Sequence, residues 1–168
     1  FIGDGIYKST DGGNTWSHLG LTAQRIISKI IIDPNNSNII YAATMGLPFL
    51  RDNNRGLYKS TDGGTTWNNI LFISNEAGVI DLLMSPSNSQ TLYAAGWNRI
   101  RSNQESLVFG QAAKIYKTTN GGVSWNILTG GLPQTNMSRI GLAMSGTNPN
   151  VLFASYVDTT LELEGIYK

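Results

Sequence analysis

Apolar and polar positions alternate along this chain in blocks, and one arrangement of blocks occurs three times. A short apolar run opens each: Ile30-Ile31-Ile32, Leu82-Leu83-Met84 and Leu142-Ala143-Met144. A polar turn of Asn, Ser, Pro or Gly follows. The next run is rich in small and aromatic residues: Ile39-Ile40-Tyr41-Ala42-Ala43, Thr91-Leu92-Tyr93-Ala94-Ala95 and Val151-Leu152-Phe153-Ala154-Ser155. Continuous apolar runs bounded by turn residues predict short strands, the first of each pair buried on both faces. We label these strands A and B.

Two further strands, C and D, flank a glycine pair. Gly5-Ile6-Tyr7-Lys8, Gly56-Leu57-Tyr58-Lys59 and Lys114-Ile115-Tyr116-Lys117 lead into Asp11-Gly12-Gly13, Asp62-Gly63-Gly64 and Asn120-Gly121-Gly122. The acidic or amide position recurs after 51 residues (11 to 62) and then after 58 (62 to 120). Such a turn needs the positive φ that glycine tolerates, and the Asp or Asn oxygen can accept hydrogen bonds from the turn's own N–H groups. Trp16, Trp67 and Trp125 follow at a fixed offset and are expected to wedge between neighbouring units. Gly165-Ile166-Tyr167-Lys168 opens a fourth copy. Catalysis needs one constellation of groups, so an aspartate recurring at equivalent places reads as a structural pin.

Four antiparallel strands in a repeat of roughly 40–50 residues make one blade of a β-propeller. The predicted fold class is therefore all-β. Residues 1–20 supply strands C and D of a first blade, 21–70 a second blade, 71–128 a third, and 129–168 the start of the next. Together, 1–168 form a single partial propeller of about three blades, whereas closed propellers have about four to eight. The array calls for completion by a further segment or another chain. Two copies exchanging terminal strands would build a six-bladed ring.

The motif Ser/Thr-x-Asp-Gly-Gly-x-Thr/Ser-Trp is matched by Ser9–Trp16 and Ser60–Trp67, and Thr118–Trp125 departs from it at Asn120. With the Gly-Ile/Leu-Tyr-Lys lead and the Asp33-Pro34-Asn35 to Ala43 pattern, the chain resembles the Asp-box (BNR) repeat propellers. Within that group it is similar to the sortilin/Vps10 and xyloglucanase branch. The resemblance implies the propeller fold. It leaves activity open, since the group includes sialidases, endoglucanases, sorting receptors and assembly factors.

Composition narrows the partners. With 12 basic and 11 acidic residues the net charge is +1, which gives no reason to expect nucleic acid. No apolar run approaches the length of a membrane span. There is no cysteine and one histidine, His18, so neither a thiolate nucleophile nor a metal or other cofactor is expected. Low charge with abundant Asn, Ser, Thr and Gly fits a secreted or periplasmic bacterial protein.

In a propeller the A–B and C–D turns share one rim, and the variable B–C and D–A connections share the other. The B–C connections span 45–55, 96–113 and 156–164, and loops on a rigid scaffold are where ligands are met. From them we take Phe49, Trp97, Arg99, Arg101, Tyr156 and Asp158 as candidate ligand-binding residues. Trp97 would stack on a sugar ring or peptide side chain, with the arginines on carboxylate or hydroxyl groups. The competing reading has Trp97 capping its blade. Lys29 and Asp81 fall at equivalent places near the channel, where they would pair with each other or with water.

Carboxylates for glycoside cleavage are available at Asp52, Asp81, Glu105, Asp158, Glu162 and Glu164, but no motif selects a pair. A sialidase-like arginine set would draw on Arg25, Arg99, Arg101 and Arg139, yet the Phe/Tyr-Arg-Ile-Pro signature does not occur. The sequence therefore predicts a binding or assembly scaffold for a polysaccharide or protein ligand, with no catalytic residue assigned. The alternative is part of a polysaccharide-cleaving glycoside hydrolase, xyloglucanase- or sialidase-like.

Overall fold

The computed structural model describes residues 2–168. Apart from one 3-10 turn, Thr22–Gln24, its regular structure is β. The first unit contributes only two short strands, β1 (Tyr7–Lys8) and β2 (Ser17–His18). The second is a complete antiparallel sheet in the order β3 (Ile27–Asp33), β4 (Asn36–Thr44), β5 (Gly56–Ser60), β6 (Asn68–Leu71). The third runs β7 (Ala77–Ser85), β8 (Asn88–Asn98), β11 (Ile115–Thr118), β12 (Asn126–Ile127), interrupted by a small hairpin of β9 (Ile100–Arg101) and β10 (Ser106–Leu107). The fourth has β13 (Ile140–Met144), β14 (Leu152–Val157) and β15 (Leu163–Tyr167). The A, B, C and D strands predicted from the repeats are these strands, in this order.

The units face one another across apolar seams. Tyr41, Leu57, Val79, Leu82 and Leu92 fill the seam between the second and third units. Tyr93, Ile115, Ile140 and Tyr156 fill the next. The corresponding surface before the second unit is only half covered: Ile6 reaches Ala42 and Tyr58, but Ile30 and Ile32 stay half exposed. Strand A of this unit is thus not buried on both faces. No A or B strand lies beside it among the described residues.

Each Asp-Gly-Gly turn is pinned from within. In the second unit Asp62 Oδ1 accepts from Ser60 Oγ (2.7 Å) and Thr66 N (2.9 Å), and Oδ2 accepts from Thr66 Oγ1 (2.6 Å). The same three contacts recur around Asp11. Asn120 keeps the geometry with one donor reversed, its Nδ2 donating to Ser124 Oγ at 2.9 Å. Gly63 and Gly64 sit at φ 72° and 99°, where a side chain would be strained. The two kinds of turn do share a rim: Gly63 N donates to Asn38 O (3.0 Å) and Gly121 N to Gln90 O (2.9 Å).

The tryptophans join units. Trp67 donates its indole N–H to Leu19 O (2.8 Å) in the first unit, and Trp125 donates to Ile70 O (2.9 Å) in the second. Trp16 departs from the expected wedge. It is 62% exposed and its N–H turns back to Gly13 O in its own turn, with no unit among the described residues on that side.

The two kinds of tryptophan should respond differently to truncation. Trp125→Ala should lower stability by about 2 kcal/mol, less than emptying a fully buried aromatic site because the ring is half-buried. Trp16→Ala should change that of the monomer by less than about 0.5 kcal/mol. Urea unfolding in dilute solution measures both.

The pins also predict an acid response. Hydrogen bonds from the Thr15 hydroxyl, Thr15 N–H and Ser9 hydroxyl hold the Asp11 carboxyl at about 2, against 3.8 ordinarily, and Thr66 and Ser60 do the same for Asp62. A depressed carboxyl stabilises the fold above its unfolded value and stops doing so as pH falls through the folded one. Stability should therefore fall between pH 3.8 and about 2. The double variant Asp11→Asn, Asp62→Asn should show a flatter melting profile across that interval.

Candidate binding face

The rim opposite the Asp-Gly-Gly turns is built from irregular backbone, whose carbonyls need partners once buried. Arg55, just before β5, supplies many of them. It is 0% exposed, and its guanidinium donates to Met45 O (2.9 Å), Leu47 O (2.5 Å), Leu50 O (2.8 Å), Arg99 O (3.1 Å) and Glu76 O (3.4 Å). One side chain so ties together the connections after β4, after β6 and after β8. Burial pushes the Arg55 pKa down from the ordinary arginine value, and nearby Asp52 and then Glu76 oppose that shift. Asp52 Oδ1 lies 3.8 Å from Arg55 Nε.

Above this hub, Arg51 Nε donates to Glu76 Oε1 (2.7 Å) and Nη2 to Glu105 Oε1 (2.9 Å). These partners, Glu105 foremost, raise the Arg51 pKa above its already high value. Main-chain bonds repeat the stitching: Asp52 N to Asn75 O (3.2 Å), Arg99 N to Glu76 O (2.8 Å) and Arg101 N to Pro48 O (2.7 Å). Phe49 is 54% exposed on this surface, with exposed Leu50 beside it and exposed Arg101 on the neighbouring hairpin.

Of the sequence candidates, then, Phe49 and Arg101 are brought side by side by the Arg101 N to Pro48 O bond, and Arg99 pairs with Trp97. Trp97 lies within β8 rather than opening a loop, and its indole donates to Val108 O (2.7 Å) while the Arg99 guanidinium lies 5.5 Å from the ring centre. It braces the 96–113 excursion through Val108. Tyr156 is a correction: it sits in β14, 1% exposed, edge-on to Tyr167. Alternation along β14 points it, like Ala154, into the seam. Asp158 caps the β14–β15 turn, accepting from Thr160 N (2.8 Å), Thr160 Oγ1 (2.7 Å) and Glu162 N (3.1 Å), which lower its pKa.

The carboxylates are similarly engaged. Glu105 is held by Arg51, and Asp52 Oδ1 accepts from Asn54 N at 2.9 Å. Asp81 pairs with Lys29 (3.7 Å), as its place suggested, and its Oδ2 also accepts from Leu142 N (2.9 Å), joining units at the inner strands. Among the described residues no group of three His, Cys, Asp or Glu could hold a metal ion. No helix among the described residues is long and apolar enough to cross a membrane.

Sequence reasoning missed Arg55. Its repeat equivalents are Asp4 and Ala113, so the period carried no signal, and an arginine in a polar loop looks solvated. Replacing it should be severe. Arg55→Met should cost about 3–5 kcal/mol, the range for removing one side of a buried charged network. Hydrogen exchange should speed up at residues 45–55 and 99–107 more than in β11 and β12.

Three comparisons with known proteins bear on this geometry. The family described as "Sortilin, neurotensin receptor 3" matches residues 4–160. The chain is 27% identical over 180 residues to the xyloglucanase Xgh74A of Acetivibrio thermocellus, covering 95% of this chain and 20% of that protein. It is 26% identical over 145 residues to a Paenibacillus xyloglucanase, covering 74% and 13%. A Hypocrea jecorina xyloglucanase is 29% identical over 147 residues, covering 74% and 16%. Among solved structures, the Niastella koreensis GH74 enzyme superimposes with a TM-score of 0.58 at 27% identity, covering 91% of this chain and 22% of that one. The chain thus spans no more than 22% of the relatives described here. With tandem four-stranded blades, internally pinned turns and a family match over residues 4–160, the chain belongs to the Sortilin-Vps10 family.

Proposed function

We propose that this chain is part of a secreted propeller that acts on a polysaccharide in the manner of the xyloglucanases, and that the rim carrying Phe49, Leu50, Arg99 and Arg101 is its glucan-contacting surface. The observation that carries this reading is the platform itself. Exposed Phe49, Leu50 and Arg101, with half-buried Arg99 stacked on Trp97, stand on loops fixed by one buried guanidinium. An exposed aromatic ring offers a face to a sugar, and guanidinium groups donate to its hydroxyls. Preformed loops lower the ordering cost of binding. The relatives' names supply the substrate class.

On this reading the segment binds glucan and leaves cleavage to groups outside it. Glycoside hydrolysis needs two carboxylates about 5–10 Å apart, facing the scissile bond. Asp52, Glu105 and Asp158 are instead held by donors of their own rim. The family match also favours a second reading, in which the same rim takes a protein segment as an assembly scaffold.

Affinity electrophoresis in gels containing xyloglucan separates these. The chain should be retarded, and Phe49→Ala should weaken retention by about tenfold, the scale of a single anchor residue. Unretarded migration in xyloglucan gels would leave the protein-binding reading. Release of reducing sugar by the chain alone would refute its non-catalytic role.

A further inference from the structure

Asn120-Gly121 is the only Asn-Gly pair in the chain, and it stands where the other two boxes carry Asp11 and Asp62. Asparagine before glycine is a chemical weak point, because the glycine has no side chain to keep its nitrogen from the asparagine amide carbon. The deprotonated Gly121 nitrogen forms a bond to Cγ of Asn120, the Cγ–Nδ2 bond breaks, and ammonia leaves as a succinimide ring closes. Water then adds to one of the two ring carbonyls. Breaking the Cγ–N bond gives aspartate. Breaking the bond between N and the main-chain carbonyl gives isoaspartate, with the chain rerouted through the former side chain. Either way, one amide and one water become one carboxylate and one ammonium ion.

The folded turn activates one partner of this reaction and withholds the other. Asn120 is exposed to water, and its Oδ1 accepts from Thr118 Oγ1 (2.8 Å) and Ser124 N (3.0 Å), which draws electron density from Cγ. The attacking nitrogen is committed elsewhere. Gly121 is buried, its N–H donates to Gln90 O (2.9 Å), and its carbonyl accepts from Lys59 Nζ (2.9 Å). A peptide held on both sides cannot give up its proton and turn onto the preceding side chain. The reaction must wait for the turn to open locally.

The aspartate product has its contacts ready. In the second unit the Asp62 carboxylate accepts from Ser60 Oγ, Thr66 N and Thr66 Oγ1. Thr118 Oγ1, Ser124 N and Ser124 Oγ stand in the same relation to Asn120. The Ser124 hydroxyl now accepts from Nδ2, and it has only to rotate its hydrogen to donate to a carboxylate oxygen. Isoaspartate instead puts a methylene into the main chain of the turn, which takes the Gly121 N–H out of register with Gln90 O.

We propose that Asn120 is a modification site, at which hydrolytic deamidation follows each opening of the third box and the aspartate product completes that box. The Gly121 peptide is the gate. This chemistry is independent of what the opposite rim binds.

Ageing the 168-residue chain at mildly alkaline pH, with and without guanidinium chloride, tests the proposal. Fragmentation mass spectrometry reads residue 120 as amide, aspartate or isoaspartate, and isoelectric focusing reads the added negative charge. In denaturant Asn120 should convert faster than any other asparagine. In the folded chain its conversion should be slower by at least about tenfold, the protection of a turn that must break several bonds to open. Lys59→Met frees the Gly121 carbonyl without touching a reacting atom. It should speed conversion in the folded chain by about fivefold, the scale of one lost hydrogen bond, and leave the rate in denaturant unchanged. Asn120→Asp should unfold at no lower denaturant concentration than the parent chain. Equal rates with and without denaturant, or a folded rate indifferent to Lys59→Met, would overturn the gate. An Asn120 that outlasts other asparagines in denaturant would overturn the site, and a destabilised Asn120→Asp would overturn the fit of the product.

Discussion

The array depends on one joint, the indole N–H that the second and third Asp boxes hand to a main-chain carbonyl of the unit before them. Apolar seams alone would tolerate sliding, because burial is non-directional. A hydrogen bond from a half-buried ring does not, since it is directional and misplacing the ring breaks it. The joint therefore sets both the separation and the rotation between neighbouring sheets. Stability then accumulates unit by unit, as in other repeat arrays, and a unit without a neighbour is left with idle joint surfaces.

The Asp box itself works by hydrogen-bond geometry more than by charge. Asn120 holds its turn as Asp62 does, with Ser124 turned from donor to acceptor. All of the box's polar capacity faces inward, onto Ser60, Thr66 and their equivalents. Side chains that differ from repeat to repeat lie on the opposite rim, exposed Phe49 and Arg101 among them.

Periodicity made the fold legible, because each strand was written three times and a misreading of one copy would have been corrected by the others. Its failures fall where copies differ. Ile30 and Ile32 read as buried because they stand in a continuous apolar run, but burial is a property of the neighbour, which sequence position does not record. Tyr156 looked like a loop residue because β14 runs to Val157, further than the apolar run suggested. Trp97 was singled out as the tryptophan outside a box, and the structure uses it to brace a loop through Val108. The Lys29–Asp81 pair was readable because both residues sit at one repeat position on adjacent inner strands.

Arg55 shows how the variable rim is made without disturbing the blades. Irregular connections turn carbonyls inward with no ladder to receive them, and a long cation with several donors satisfies them at a single point. Lys114 does the same one unit on, reaching Pro133 O (3.3 Å) and Thr135 O (3.1 Å) from just before β11, and burial lowers its pKa as it does that of Arg55. The two residues are not repeat equivalents, and they hold loops of different length and course. A cation planted at the base of strand C can thus be matched to whatever connection lies above it. Loop shape then varies under the control of one or two side chains, while the seams and boxes below keep the sheets where they are.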